Sequence, residues 1–357
     1  MGHGGAVPGL GMARARASLF SPLHVAALAT GAKSFRDNPV IGSARLNRRG
    51  LHVARMLLAA RMAETRRARL ADLISAEDRA AFARDGFIEK RGFLSDDLSA
   101  ALRDEAMSRA APARDMVQGD TVTRRIALDR ALLRDRPALR ALAESPEWLG
   151  LIRYVGASSL EPLTYIQTIF ARIRPGAPDP QTRLHADTFH SSVKAWLFLT
   201  DVAEDGGPLT YVPGSHTLTP RRLAWEKRAS IRAAASDDYQ SSRGSPRISP
   251  EELSHLGYGA PHVFAVPANT LVVADTLGFH ARGPSARPTA RVEIFAYGRR
   301  NPFLPWLGFD PARLPLVRGA AVPLFWQASD AAERIGLSRN PWRPAGMVRP
   351  DTPPRTT

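Results

Sequence analysis

The residues best placed to do chemistry lie in the segment Arg183-Leu184-His185-Ala186-Asp187. Side chains at i and i+2 of an extended backbone project from one face, so His185 and Asp187 can grip one ion together. One imidazole and one carboxylate leave a third ligand to be found. Gly278-Phe279-His280 supplies a candidate, directly after the strand-like run Thr270–Asp275. Two histidines and one carboxylate make the facial triad, which holds Fe(II) on one side and leaves positions open for a bidentate co-substrate and O2. His-x-Asp alone is a weak signal, and its spacing to His280 across several strands strengthens it. Arg291 strengthens it further. It follows His280 by eleven residues and opens the run Arg291-Val-Glu-Ile-Phe, where a guanidinium can take a carboxylate through two parallel hydrogen bonds. The alternative for Arg291 is one more surface arginine.

Composition narrows the setting of these residues. The 357-residue chain is long enough to bury a sizeable core, and it carries a formal charge of +15. That charge is uneven: residues 1–70 hold twelve Lys/Arg against only Asp37 and Glu64, while the rest is close to neutral. The pattern excludes a protein that is basic all round and coats nucleic acid. With no cysteine, disulfides, thiolate metal sites and cysteine nucleophiles are excluded, so any metal must sit on His, Asp or Glu. No apolar run is long enough to span a membrane, and no secretory signal is visible. The first 36 residues are acid-free and contain Arg14, Arg16, Lys33 and Arg36, a faint transit-peptide signature. The location expected for the chain is cytoplasmic.

The elements that must position the site follow from periodicity. Residues 1–35 are Gly/Ala-rich and expected to be poorly ordered. Leu51, Ala54, Leu58 and Met62 recur at helical steps up to about Ala71, with arginines between them. Two readings fit this segment. It packs its Leu/Met stripe on the body and solvates its arginines, or it lies on an anionic membrane surface through residues 45–70. Ser75 with Asp78 caps a helix over Ala76–Asp85 that Gly86 ends, and Ser95 opens another to about Arg109. Leu139–Tyr154 is helical. Short runs rich in β-branched and aromatic residues then dominate: Leu163–Ile173, Val193–Val202, Leu209–Val212, His262–Val266, Thr270–Ala274 and Arg291–Tyr297. Gly, Pro and Asp clusters separate them, which indicates a β-sandwich or barrel. Helical patches at Thr219–Ala235 and after Ser249 flank a polar loop, Ser236–Pro246, a candidate lid. The tail from about Pro344 reads as loose.

The run His185-Ala-Asp187, Ala195-Trp196-Leu-Phe-Leu, Gly206-Gly207-Pro208, Val212-Pro213-Gly214-Ser215-His216, then His280 and Arg291, resembles the phytanoyl-CoA dioxygenase family. Phe82-Ala-Arg-Asp-Gly-Phe87-Ile88 looks like that family's entry into its first strand. The resemblance covers roughly Ser75 to Pro302 and implies an Fe(II)/2-oxoglutarate-dependent dioxygenase. Its fold would be mainly β with flanking helices, on a double-stranded β-helix (jelly-roll, cupin-like) core. The implied layout is a basic extension over 1–74, an oxygenase domain over 75–302 with an insertion at 217–260, and a C-terminal extension over 303–357.

By position, His185, Asp187 and His280 would hold Fe(II), and Arg291 would pair with the distal carboxylate of 2-oxoglutarate. Trp196 sits where the family places a tryptophan near the co-substrate, and it fits a core position equally. Gln167 matches a family amide that contacts 2-oxoglutarate, and it fits an ordinary strand residue as well. His216 belongs to a turn by resemblance, and His190 suits a structural role better than a substrate contact. One departure stands out: Arg282 occupies a position, two after the distal histidine, where the family often has a small hydroxyl residue. Ser285 or Thr289 would take over that contact, or the co-substrate geometry differs. Retention of Asp187 favours hydroxylation over halogenation.

The implied reaction consumes 2-oxoglutarate and O2, releases succinate and CO2, and oxidises a C–H bond of a small or lipid-like substrate. A competing reading is a non-catalytic jelly-roll that docks on membranes or anionic partners through its basic start. Nucleic acid is not an expected partner, since the body lacks a basic stripe interleaved with aromatics.

Overall fold

The strand that carries Arg291 shows how the molecule is layered. Over Thr289–Gly298, Arg291, Glu293 and Phe295 point to one face, and Val292, Ile294 and Ala296 to the other. The second set packs against helices, whereas the first lines the interior of a sandwich. A computed structural model describes residues 21–310, 314 and 319–354. Arg14 and Arg16, half of the acid-free signature, lie outside the described residues.

The strands are β1 Phe87–Arg91, β2 Ala111–Gln118, β3 Thr121–Ala127, β4 Leu163–Ala171, β5 Val193–Phe198, β6 Leu209–Tyr211, β7 His262–Val263, β8 Thr270–Asp275, β9 His280–Arg282, β10 Thr289–Gly298 and β11 Arg343–Val348. Eight form one antiparallel sheet in the order β1-β8-β5-β10-β4-β3-β2-β11, and β7-β6-β9 form a smaller one. The non-sequential order and the two facing layers make this the expected jelly-roll. Phe87, Tyr211, Phe264, Trp196 and Phe295 pack between the sheets.

The outer face of the large sheet is covered by the helices Ala76–Asp85, Asp96–Met107, Pro137–Glu144 and Pro146–Val155. Ser75 and Ser95 cap the first two as the sequence predicts, each accepting from the backbone N–H three residues on. The expected helix over Leu139–Tyr154 is two helices, because Pro146 cannot donate to the preceding turn. Trp148, fully buried, anchors this layer.

Three further expectations are corrected. The helix Leu51–Ala68 forms, but its predicted stripe is reversed: Leu58 is exposed, while His52, Arg55, Met56, Ala59, Ala63 and Arg66 face inward. Arg66 Nε donates to the Ala157 carbonyl at 2.6 Å and Nη1 to those of Pro302 and Leu304. Arg67 reaches Val155 O and Asp275 Oδ2, each at 2.8 Å. These arginines satisfy loop carbonyls that would otherwise be buried without partners.

Second, residues 21–35 are held rather than loose. Arg55 donates to Leu28, Thr30 and Ala32 carbonyls, and Phe35 N–H to Ser242 O. Third, the tail expected to be loose from Pro344 forms β11, paired antiparallel with β2. Arg114 ties this end to the helix Ala321–Arg334 through Asp330, Nη1 to Oδ1 at 2.8 Å. Strands β2 and β3 escape a reading by apolar alternation because their charges answer each other across the ladder, Arg124 opposite Asp115.

Candidate metal centre

His185 and His280 are brought together by backbone before any side chain is considered. The two residues form an antiparallel bridge, His185 N–H to His280 O at 3.0 Å and His280 N–H to His185 O at 2.9 Å. Asp187 is fixed two residues on by its N–H to Thr276 O and by Lys33 Nζ donating to its carbonyl at 2.5 Å. Gly278 must be glycine: a Cβ there would lie 1.8 Å from Tyr211 Oη, which donates to Asp275 O.

The side chains converge on one point. Asp187 Oδ1 stands 3.6 Å from Nε2 of His185 and 3.6 Å from Nε2 of His280, and the three groups form a cluster able to hold a metal ion. Nδ1–H of His185 donates to Arg183 O at 2.8 Å, and that of His280 to Gly278 O at 3.0 Å. Each Nδ1 thereby carries the proton, and each Nε2 lone pair turns to the shared point, the arrangement metal-binding histidines use. Burial pushes His280 down to about 3 and also lowers His185, so both imidazoles are neutral ligands. Burial works to raise Asp187, but Lys194 together with the two histidines outweighs it and holds the carboxyl well below its ordinary value. The donor set therefore fits a divalent ion of intermediate hardness.

Lys194 was not anticipated. Its Nζ lies 2.6 Å from Asp187 Oδ2, so one carboxylate oxygen is held by the ammonium while the other faces the histidines. The signal was present in the sequence: a lone charge in the apolar run Val193–Phe198, on the same face as Trp196.

A cavity of about 240 Å³ opens beside the triad, lined by Lys194, Trp196, Gln167, Arg291, Arg125 and Arg282 among others. Arg291 is buried, with Nε donating to Glu293 Oε2 at 2.9 Å and Nη1 to Gly207 O. Glu293 stands opposite Gln167 in the β10–β4 ladder, and Gln167 opposite Arg125 in the next. Gln167 Nε2 donates to Glu293 Oε1 at 2.7 Å and its Oε1 accepts from Arg125 Nε at 2.8 Å. Trp196 packs on Phe295 and forms a cavity wall.

Arg282 also faces the cavity, ion-paired to Asp179. Ser285 donates to Arg287 O, and Thr289 to Gly206 O at 3.4 Å. His216 lies in the turn after β6, against Phe82. His190 is buried, its Nδ1–H on Ser191 O.

Residues 82–248 match the family model described as phytanoyl-CoA dioxygenase (PhyH), a span that includes His185 and Asp187 and ends before His280 and Arg291. Similar solved structures include the epimerase SnoN in complex with Fe3+, alpha ketoglutarate and nogalamycin RO. It shares 19% identity over 68% of this chain and 91% of its own, with a TM-score of 0.41. HygX from Streptomyces hygroscopicus, solved with nickel and 2-oxoglutarate bound, shares 17% identity over 63% and 87% of the two chains, with a TM-score of 0.39. EctD from S. alaskensis, solved with 2-oxoglutarate and 5-hydroxyectoine, shares 17% over 63% and 76%, with a TM-score of 0.38. No curated protein matches by sequence.

Proposed function

We propose that the chain, whose residues 82–248 match the phytanoyl-CoA dioxygenase family model, is an Fe(II)/2-oxoglutarate-dependent oxygenase that hydroxylates an unactivated C–H bond of a small or lipid-like molecule. The observation that carries the reading is the meeting of His185 Nε2, His280 Nε2 and Asp187 Oδ1, with both Nδ1 protons fixed elsewhere. When bound there, Fe(II) with 2-oxoglutarate and O2 supplies oxidative decarboxylation to succinate and CO2 and an oxidant strong enough to attack C–H.

The chain's own residues supply position and shelter. His185, Asp187 and His280 hold the ion. Arg291 is the anchor for the distal carboxylate of 2-oxoglutarate, its Nε fixed by Glu293 so that the rest of the fork is aimed before the ligand arrives. Trp196 forms a wall against which the co-substrate lies. Gln167 keeps Glu293 and Arg125 apart at a set spacing, with one amide N–H left for the co-substrate. Because Asp187 is a carboxylate, no coordination position is vacated for a halide, which favours hydroxylation.

The test is succinate formation from 2-oxoglutarate with Fe(II) and O2. Wild type should turn over, and His185→Ala and Asp187→Ala should lose turnover together with iron binding. Identical iron binding by all three proteins with no turnover would remove the ligand assignment.

A peripheral membrane contact is a second reading, favoured by Leu57 and Leu58, 48% and 50% exposed beside Arg61 on the Leu51–Ala68 helix. It predicts co-sedimentation with phosphatidylserine vesicles that Leu57→Glu with Leu58→Glu abolishes. Equal sedimentation of both proteins would sink it.

A further inference from the structure

The charges around the cavity do not balance. Four cations line it, Arg125, Lys194, Arg282 and Arg291. Carboxylates answer three of them: Asp187 meets Lys194, Asp179 meets Arg282 and Glu293 meets Arg291. A divalent metal and a dianionic co-substrate cancel one another, so the excess positive charge survives loading of the site.

That excess resides on Arg125. Its Nε donates to the neutral amide of Gln167, and among the described residues no carboxylate pairs with it. Three aromatic rings surround the guanidinium: its Cζ lies 4.8 Å from the Tyr165 ring centroid, 4.6 Å from Phe295 and 4.5 Å from Trp342. Rings of this kind stabilise a cation partly, but they remove it from water without accepting its hydrogen bonds. Burial accordingly pushes Arg125 down to about 10. The Nη nitrogens are left as a donor fork beside the cavity, the geometry that takes a planar oxyanion through two parallel bonds. Trp342 comes from the C-terminal segment just before β11 and Phe295 from β10, so two rings of this cage lie outside the family-matched residues.

We propose that the substrate of this enzyme is a carboxylate-bearing molecule and that Arg125, caged by Tyr165, Phe295 and Trp342, binds its carboxylate while Arg291 holds the co-substrate. The proposal rests on the oxygenase reading above. Gln167 fixes the Arg125 fork at one edge, so the substrate's apolar part extends from that anchor past Trp196 toward the triad.

The experiment uses the full chain with Ni(II) in place of Fe(II), which prevents turnover, and saturating 2-oxoglutarate. Hexanoate, hexanol and hexylamine are titrated by calorimetry, with Trp fluorescence as a second readout because Trp342 stacks on Arg125. Hexanoate should bind, and hexanol and hexylamine at least tenfold more weakly. Arg125→Met should weaken hexanoate at least tenfold while 2-oxoglutarate affinity stays within twofold. Arg125→Lys, which keeps the charge and loses the fork, should fall between, and it serves if the methionine variant does not fold. Hexanoate binding no better than hexanol in wild type overturns the proposal. So does a tenfold loss of 2-oxoglutarate affinity in Arg125→Met, which would make Arg125 a co-substrate anchor. If wild type fails to bind 2-oxoglutarate yet binds hexanoate through Arg125, the oxygenase reading falls and the carboxylate site stands.

Discussion

At the scale of single residues, the site works by fixing one side of each charged group so that the other side is presented to the cavity. Lys194 takes Asp187 Oδ2, so Oδ1 is the atom presented to the histidines. Glu293 does the same for Arg291 by accepting from Nε. If Arg291 anchors the co-substrate, Arg291→Met should raise KM for 2-oxoglutarate by about 10- to 100-fold, the loss of about 1.5–3 kcal/mol expected for a charged hydrogen bond. Glu293→Gln, which keeps the shape and drops the charge, should produce a smaller rise. A large fall in kcat with unchanged KM in both variants would place these residues elsewhere in the mechanism. The triad was legible because i, i+2 spacing on an extended chain is a local property of His185-Ala186-Asp187. Arg125 was not, because its meaning depends on standing opposite Gln167 in a ladder whose register no local spacing reveals.

At the scale of elements, the N-terminal arginines brace the wall behind the site. The Leu51–Ala68 helix carries too little apolar surface on its inner face to pack by hydrophobic burial alone, and Arg55 and Arg66 fill the gap with hydrogen bonds to carbonyls. Arg66→Met should therefore destabilise the protein by about 3 kcal/mol, because three buried carbonyls lose a donor. A urea midpoint unchanged from wild type would contradict that. Alternating apolar strands such as β5, β8 and β10 could be read directly. The arginine-rich helix face and strands β2 and β3 could not, since a buried charge looks like a solvated one until its partner is known. Lys33 belongs to the same case: a basic residue of an expected appendage that ends on the carbonyl of Asp187.

At the scale of the whole molecule, the C-terminal segment closes the far end of the large sheet by adding β11 and by placing Trp342 against the Arg125 guanidinium. The hydrogen bond from Arg114 pulls Asp330 down to about 2. A carboxylate whose folded value is depressed stabilises the native state above its ordinary value and loses that contribution as pH falls through the depressed one. The segment should accordingly become protease-sensitive as pH drops from about 4 toward 2, and Asp330→Asn should show the same sensitivity at neutral pH. Equal resistance of both proteins at pH 7 would show that other contacts suffice. Among the described residues no helix is long and apolar enough to cross a membrane. The most direct test of the central claim is anaerobic titration of Co(II) into wild type and His280→Ala, followed by 2-oxoglutarate, read in the visible absorption of the ion. One ion per wild-type chain, with a spectrum that 2-oxoglutarate changes and a binding constant at least 100-fold weaker in His280→Ala, is the predicted result. Equal Co(II) affinity in the two proteins, or a wild-type spectrum indifferent to 2-oxoglutarate, would contradict it.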